Sequence, residues 1–282
     1  MKLSLPARSV RLLIVAAVAA LALTGCESFT GGAPTDIVLT TATDTTIRVS
    51  WNAPAGGAPD SYLVAFMETG TSTWVDFDTV TDSATTTGHN PLGKTGKYRV
   101  TAVFGPSTFA AAETPTSAPI HTEATLVSEL NAAGLPGYGW VRDSGGGATF
   151  PMAYASKANK IDFYITDWAT GYAGPNYAVA SPDWGPTEPG GTGVVPPGDW
   201  RATAFSPAPS GEQAPLPVFN STIYGNHLEL ATDSTLVAVY TGPEWADRYY
   251  ALVKLSSPDT TRGTVRVETW FQLIKGLRLI QH

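Results

Sequence analysis

Period-two alternation of apolar residues, broken at short intervals by glycine and proline, is the feature that most restricts this chain. In the run IRVSW, Ile47, Val49 and Trp51 share one face, while Arg48 and Ser50 share the other. SYLVAF repeats the pattern with Tyr62, Val64 and Phe66, and KYRVTAVF repeats it with Tyr98, Val100 and Ala102. Successive side chains of a strand point to opposite faces, so this spacing predicts half-buried strands. Asn52-Ala53-Pro54 and Gly56-Gly57-Ala58-Pro59 supply the turns between them. With 28 glycines, 22 prolines and only 15% charged residues in 282, the chain favours short strands over helices. The expected class is mainly β, in two domains.

The first 25 residues carry a different message. Lys2, Arg8 and Arg11 precede the apolar run Leu12 to Leu23, which stops at Thr24 and Gly25. A spanning helix needs about 20 apolar residues, so this shorter run reads as a signal peptide over 1–25. Leu23-Thr24-Gly25-Cys26 resembles the lipobox of bacterial lipoproteins, in which the cysteine thiol becomes a diacylglyceryl thioether. Cys26 is the only cysteine and has no internal disulfide partner. The resemblance implies lipidation at Cys26, a membrane as partner through that lipid, and a place in the bacterial cell envelope on the exported side. Residues 26–32 form an expected tether.

Residues 33–123 resemble a fibronectin type III domain. Trp51 fits the family's early tryptophan, Asn52-Ala53-Pro54 its exit, and Tyr62 its third-strand tyrosine. Leu92, Tyr98, Val100 and Ala102 fit its tyrosine corner, in which a buried phenol hydrogen-bonds to pin the preceding loop. The resemblance implies a β-sandwich that acts as a spacer or interaction surface. It also implies that Trp51, Tyr62 and Tyr98 are core residues. GPSTFAAAETPTSAP contains no Arg-Gly-Asp, so integrin binding is not expected.

Residues 124–282 read as a second β-rich domain. Leu126, Val127, Leu130 and Ala133 predict a short helix over 125–133 that stops at Gly134. Strands are expected where Ile161, Phe163 and Ile165 alternate, and at 228–231, 234–240, 249–255 and 264–274. Val265, Val267 and Phe271 share a face of the last hairpin. Between these strands, residues 182–217 form a long proline- and glycine-rich loop. A loop this long is either functional or disordered. Trp168, Tyr172, Tyr177, Trp184 and Trp200 are the candidate ligand-binding residues, because exposed rings stack on sugars or peptides. The same rings could equally pack such loops onto a sheet. Residues 249–271 are similar to haem-scavenging envelope lipoproteins of the HmuY type. Only His227 and His282 lie in this domain, so the axial histidine pair is not evident and haem is not expected.

Residue supply limits the chemistry. Asp143-Ser144-Gly145-Gly146 is similar to the serine region of trypsin-like proteases, but the only upstream histidines, His89 and His121, fall in or at the end of the first module, and a glycine-rich turn is the simpler reading. Asp76, Asp78 and Asp82 lack calcium-loop spacing, and no HExxH or Cys/His cluster exists. Neither catalytic residues, a metal site nor a cofactor is therefore assigned. Removing Lys2, Arg8 and Arg11 leaves 14 basic residues against 24 acidic, with no basic run, so nucleic acid is not an expected partner. The expected function is a non-catalytic envelope binding or adhesion lipoprotein, its fibronectin-like spacer presenting a domain that recognises a glycan or protein. Its rivals are an exported carbohydrate-active hydrolase with a carboxylate pair among Glu188, Asp199, Glu212, Asp233 and Glu244, and a structural subunit of a surface assembly.

Overall fold

The computed structural model describes residues 31–167, 177–188, 190–230, 234–242 and 248–282. Residues 1–25, read above as a signal peptide, and Cys26 lie outside the described residues. The first alternating runs close into a sandwich. One sheet is β1 (Thr35–Thr43), β2 (Thr46–Asn52) and β5 (Thr86–His89), in that order. The facing sheet runs β4 (Val75–Thr81), β3 (Ser61–Glu68), β6 (Gly96–Phe104) and β7 (Ser107–Ala110), with every pairing antiparallel.

Ile47, Val49, Tyr62, Val64, Tyr98, Val100 and Ala102 are fully buried in its core, with Trp51 edge-on to Tyr62 at 5.2 Å. The Tyr98 hydroxyl meets Nδ1 of His89 at 3.0 Å, so the buried phenol ties the last residue of β5 to β6. His89 also stacks on Phe77 at 4.0 Å, and burial pushes its pKa down to about 4. Leu92 departs from the tyrosine-corner pattern. It is 82% exposed at φ 55°, and the preceding Pro91 is buried instead.

The second sandwich is larger. One sheet is ordered β10 (Gly147–Phe150), β9 (Gly137–Trp140), β11 (Phe163–Asp167), β12 (Tyr177–Ala180), β14 (His227–Glu229). The other is β13 (Thr203–Pro207), β15 (Ser234–Thr241), β16 (Tyr249–Asp259), β17 (Thr264–Phe271), β8 (Ile120–Ser128). Val265, Val267 and Phe271 are fully buried between the sheets, opposite Tyr138, Phe163 and Ile165. At the β16 to β17 turn the Asp259 carboxylate accepts from the amides of Thr261 and Arg262.

The helix expected over 125–133 is not formed. Its first four residues belong to β8, where Val127 is buried and Leu126 is 58% exposed. The β17 backbone offers this segment a ladder, and Thr122, Thr125 and Val127 are β-branched residues that suit one. The described residues contain no α-helix, only 3-10 turns at Ala155–Lys160 and Pro182–Trp184.

Both sheets of the second sandwich are also covered on their outer faces. Met152, Ala158, Ile161, Val195 and Trp200 pack with Tyr164 and Ala180 outside the β11 sheet. Ile161 therefore joins this outer layer, not the alternation of Phe163 and Ile165 that it was expected to extend. Leu216, Tyr224 and Ile280 pack with Tyr240, Tyr250 and Leu252 outside the β16 sheet.

The C-terminal segment joins the two sandwiches. Leu277 and Leu279 are fully buried in the core of the first sandwich, although they follow the last strand of the second. Between them Arg278 donates to the Asp44 carboxylate at 2.7 Å and to the Leu216 carbonyl at 2.5 Å. Leu→Ala at a buried site costs about 2–5 kcal/mol. The double variant Leu277→Ala, Leu279→Ala should therefore open the first sandwich before the second. Hydrogen exchange will show early loss of protection in β2 and β6 while β15 and β16 stay protected; unchanged protection would mean the tail carries no stability.

Candidate functional site

Three of the five aromatic residues read as ligand-binding candidates, Tyr177, Trp184 and Trp200, lie among the described residues. Trp200 is 4% exposed and donates from Nε1 to the Pro196 carbonyl at 2.8 Å, so it fastens the long loop to the sheet. Tyr177 is 4% exposed in the inter-sheet core, with its hydroxyl on the Asp259 carbonyl. Neither presents a ring to solvent. Trp184 is half-buried and stacks on His227 with centroids 4.9 Å apart. Trp168 and Tyr172 lie outside the described residues. The long loop thus uses its rings to pack down onto the β11 sheet.

Of the five candidate carboxylates, Glu188, Asp199 and Glu212 lie among the described residues. Glu188 is fully buried and accepts from the Thr166 hydroxyl at 3.0 Å. Burial pushes its pKa up, and the nearby buried Glu129 adds to the rise, while the Thr166 and Tyr164 hydroxyls counter it. Asp199 and Glu212 are exposed, and Asp233 and Glu244 lie outside the described residues. Ser144 sits in the β9 to β10 turn, where its amide and that of Gly145 both donate to the Val141 carbonyl.

A cavity of about 350 Å³ opens where two covering loops meet beside β13. Ser181 and Asp183 come from the 3-10 turn at Pro182–Trp184. Phe219, Ser221, Tyr224 and Asn226 come from the loop before β14. The site is built from backbone outward. Ser181 donates its amide to the Asn226 carbonyl, and its hydroxyl accepts the Thr203 amide at 2.7 Å while donating to the Asp183 carboxylate. Gly225 exchanges both backbone bonds with Phe205, which fixes the loop against β13. Phe219 stacks on Tyr240 at 4.3 Å, and the Tyr224 hydroxyl donates to the Pro217 carbonyl. The lining thus combines two aromatic rings with a carboxylate, an amide and hydroxyls. The residue types of 217–226 gave a signal, Phe219 and Tyr224 in a loop, but most of these residues lie beyond the 182–217 stretch singled out for its composition.

A second cavity, about 390 Å³, lies in the first sandwich. Phe66 and His89 line it together with the exposed Val75 and Leu92, and the Glu68–Lys94 ion pair at 2.6 Å borders it.

Because its folded pKa is raised, Glu188 stabilises the fold fully only below its unfolded value, and that contribution is lost as pH rises through the folded pKa. Glu188→Gln should therefore melt at a higher temperature than the parent at pH 8 and at the same temperature near pH 4. Thermal unfolding at both pH values checks the sign; a variant less stable at pH 8 would refute it.

Comparison with known proteins bears on the first sandwich. The family model described as fibronectin type III domain matches residues 32–123. Among solved structures, a fibronectin type III domain of human collagen XX is 22% identical and covers 31% of this chain and 91% of its own, with a TM-score of 0.26. A structure described as a myokine is 13% identical and covers 31% of this chain and 95% of its own, with a TM-score of 0.27. No curated protein matches the chain. The match covers the first sandwich, β1-β2-β5 against β4-β3-β6-β7, and its last four residues enter β8 of the second; the first sandwich is a fibronectin type III domain.

Proposed function

We propose that this chain is a lipid-anchored binding protein of the bacterial cell envelope, whose second domain recognises a glycan in the cavity between Asp183 and Phe219. The single observation that carries the reading is the composition of that cavity. The half-buried ring of Phe219, backed by the buried Tyr224, suits the apolar face of a sugar ring, and Asp183, Ser221 and Asn226 suit its hydroxyls. The carboxylate disfavours anionic ligands. A hydrolase would need two carboxylates flanking the scissile bond, and among the described residues only Asp183 lines the cavity.

The architecture supports presentation away from the anchor. Gly31 and Gly32 lie against Phe109 and Pro54, next to the start of β1. The five residues from Cys26 to Thr30 can reach at most about 17 Å. Asp44, which holds the C-terminal tail, follows the far end of β1, a strand length of roughly 26 Å away at about 3.3 Å per residue. The second domain is thus held at the end of the spacer opposite the lipid.

Two measurements test the proposal. Cys26→Ser should move the protein from the detergent phase to the aqueous phase on cloud-point partition; equal partition of parent and variant would remove the anchor. On a glycan array, residues 31–282 should bind a defined set of neutral sugars. Asp183→Asn should lower that binding about tenfold, the scale of one lost hydrogen bond to a charged group, Phe219→Ala should lower it by a similar factor through loss of the stacked ring, and Thr187→Val should leave it unchanged. Undiminished binding by the two cavity variants would place recognition elsewhere.

A further inference from the structure

His121 and Glu123 lie two residues apart on β8, and Glu268 lies across from them on β17. Nε2 of His121 is 2.9 Å from Oε1 of Glu268, and Nδ1 is 3.6 Å from Glu123. One nitrogen and two carboxylate oxygens from these residues all fall within 4.8 Å of one another. We propose that they form a surface site for a borderline divalent cation, of the Zn²⁺ class.

The backbone builds this convergence. His121 pairs with Trp270 and Thr122 with Thr269, but Thr125 pairs with Val267, so Glu123 and Ala124 together oppose Glu268. Such a bulge bends its strand and re-aims a side chain. Here Glu123 approaches Nδ1 of His121 while Glu268 meets Nε2, and the side chain of Glu123, 90% exposed, is free to swing toward the same ion. The imidazole is held as well, lying flat on Trp270 at 4.9 Å and 16°. A ring fixed by stacking loses less freedom on coordination.

The donor set selects the ion. One imidazole nitrogen with carboxylate oxygens suits Zn²⁺ and neighbouring transition metals, which bind at about 2.0–2.2 Å, while calcium wants six or more oxygens. Three protein donors would leave a position open to water, so the ion is exchangeable. Lys254 approaches the other Glu268 oxygen, Oε2, at 3.5 Å. It positions that carboxylate and competes electrostatically with a cation. The net charge of −7 favours cation capture generally.

The test uses the full-length protein in detergent, titrated with ZnCl₂ by calorimetry and with CuCl₂ by tryptophan fluorescence. One Zn²⁺ per chain is expected, with Cu²⁺ quenching of Trp270. His121→Ala should weaken Zn²⁺ at least 20-fold and abolish the quenching, Glu268→Gln should weaken it about tenfold, and Lys254→Ala should tighten it severalfold. The chain holds only four histidines, so ion held adventitiously at His227 or His282 survives in His121→Ala. Binding unchanged by both His121→Ala and Glu268→Gln overturns the site, as does the absence of any binding at millimolar Zn²⁺.

Discussion

The side-chain amide of Gln272 is the joint on which the two-domain arrangement turns. It is 1% exposed, donates to the carbonyls of Ser117 and Leu279, and accepts the amide of Ile274. A buried amide is costly unless its donors and acceptor are met, and here three backbone groups from both ends of the second domain meet them. Ser117 lies just before β8, and Leu279 lies in the tail after β17. Pinning both to one side chain sends the tail back along the segment by which the chain left the first sandwich. From there Leu277 and Leu279 enter the first core, and Ile280, on the other side, enters the cluster with Tyr240 and Tyr250. Thr95 completes the seam by donating to Gln281. The fibronectin type III domain is therefore closed by residues that follow it by more than 150 positions, and its core is shared.

What the sequence disclosed about the fold depended on how local the deciding interaction was. Trp51, Tyr62 and Tyr98 occupy the core because each alternates within its own strand, and their positions could be read from a few neighbours. Leu92 could not. Its spacing from Tyr98 fits the corner pattern, yet the turn places Pro91 inside and Leu92 outside, and turn geometry is decided by two or three dihedral angles that spacing does not record. Residues 125–133 failed for a different reason. Leu126, Val127 and Leu130 satisfy a helical period, but the free edge of β17 offered backbone pairing to the same segment, and tertiary pairing outweighs local propensity. The alternation of Leu277, Arg278 and Leu279 is plain in the sequence; its destination is not, because the core that receives it forms far upstream.

The same logic explains the aromatic loop. Each sheet of the second sandwich is apolar on both faces, as Tyr164 and Ala180 on one and Tyr240 and Leu252 on the other show. Such sheets need an outer layer, and loops without helices can supply one only by burying their own rings. Trp200 and Leu216 do this. Aromatic density in this proline- and glycine-rich segment therefore marks a covering layer. The cavity at Asp183, Phe219 and Asn226 lies between the cover of one sheet and the cover of the other. No composition window could isolate it, because its walls come from segments some 40 residues apart.

Electrostatics and rigidity then act together. With 17 basic residues against 24 acidic, the chain's charge offers little attraction to an anionic surface. That leaves orientation to mechanics. A first sandwich joined to its neighbour by a flexible linker alone would let the two reorient; one whose core is completed by its neighbour's tail would not. Arg278 holds Asp44 beyond the end of β1 that lies away from Gly31, and Leu277 and Leu279 bury on either side of that ion pair. The arrangement of the two sandwiches is therefore fixed by the core that they share.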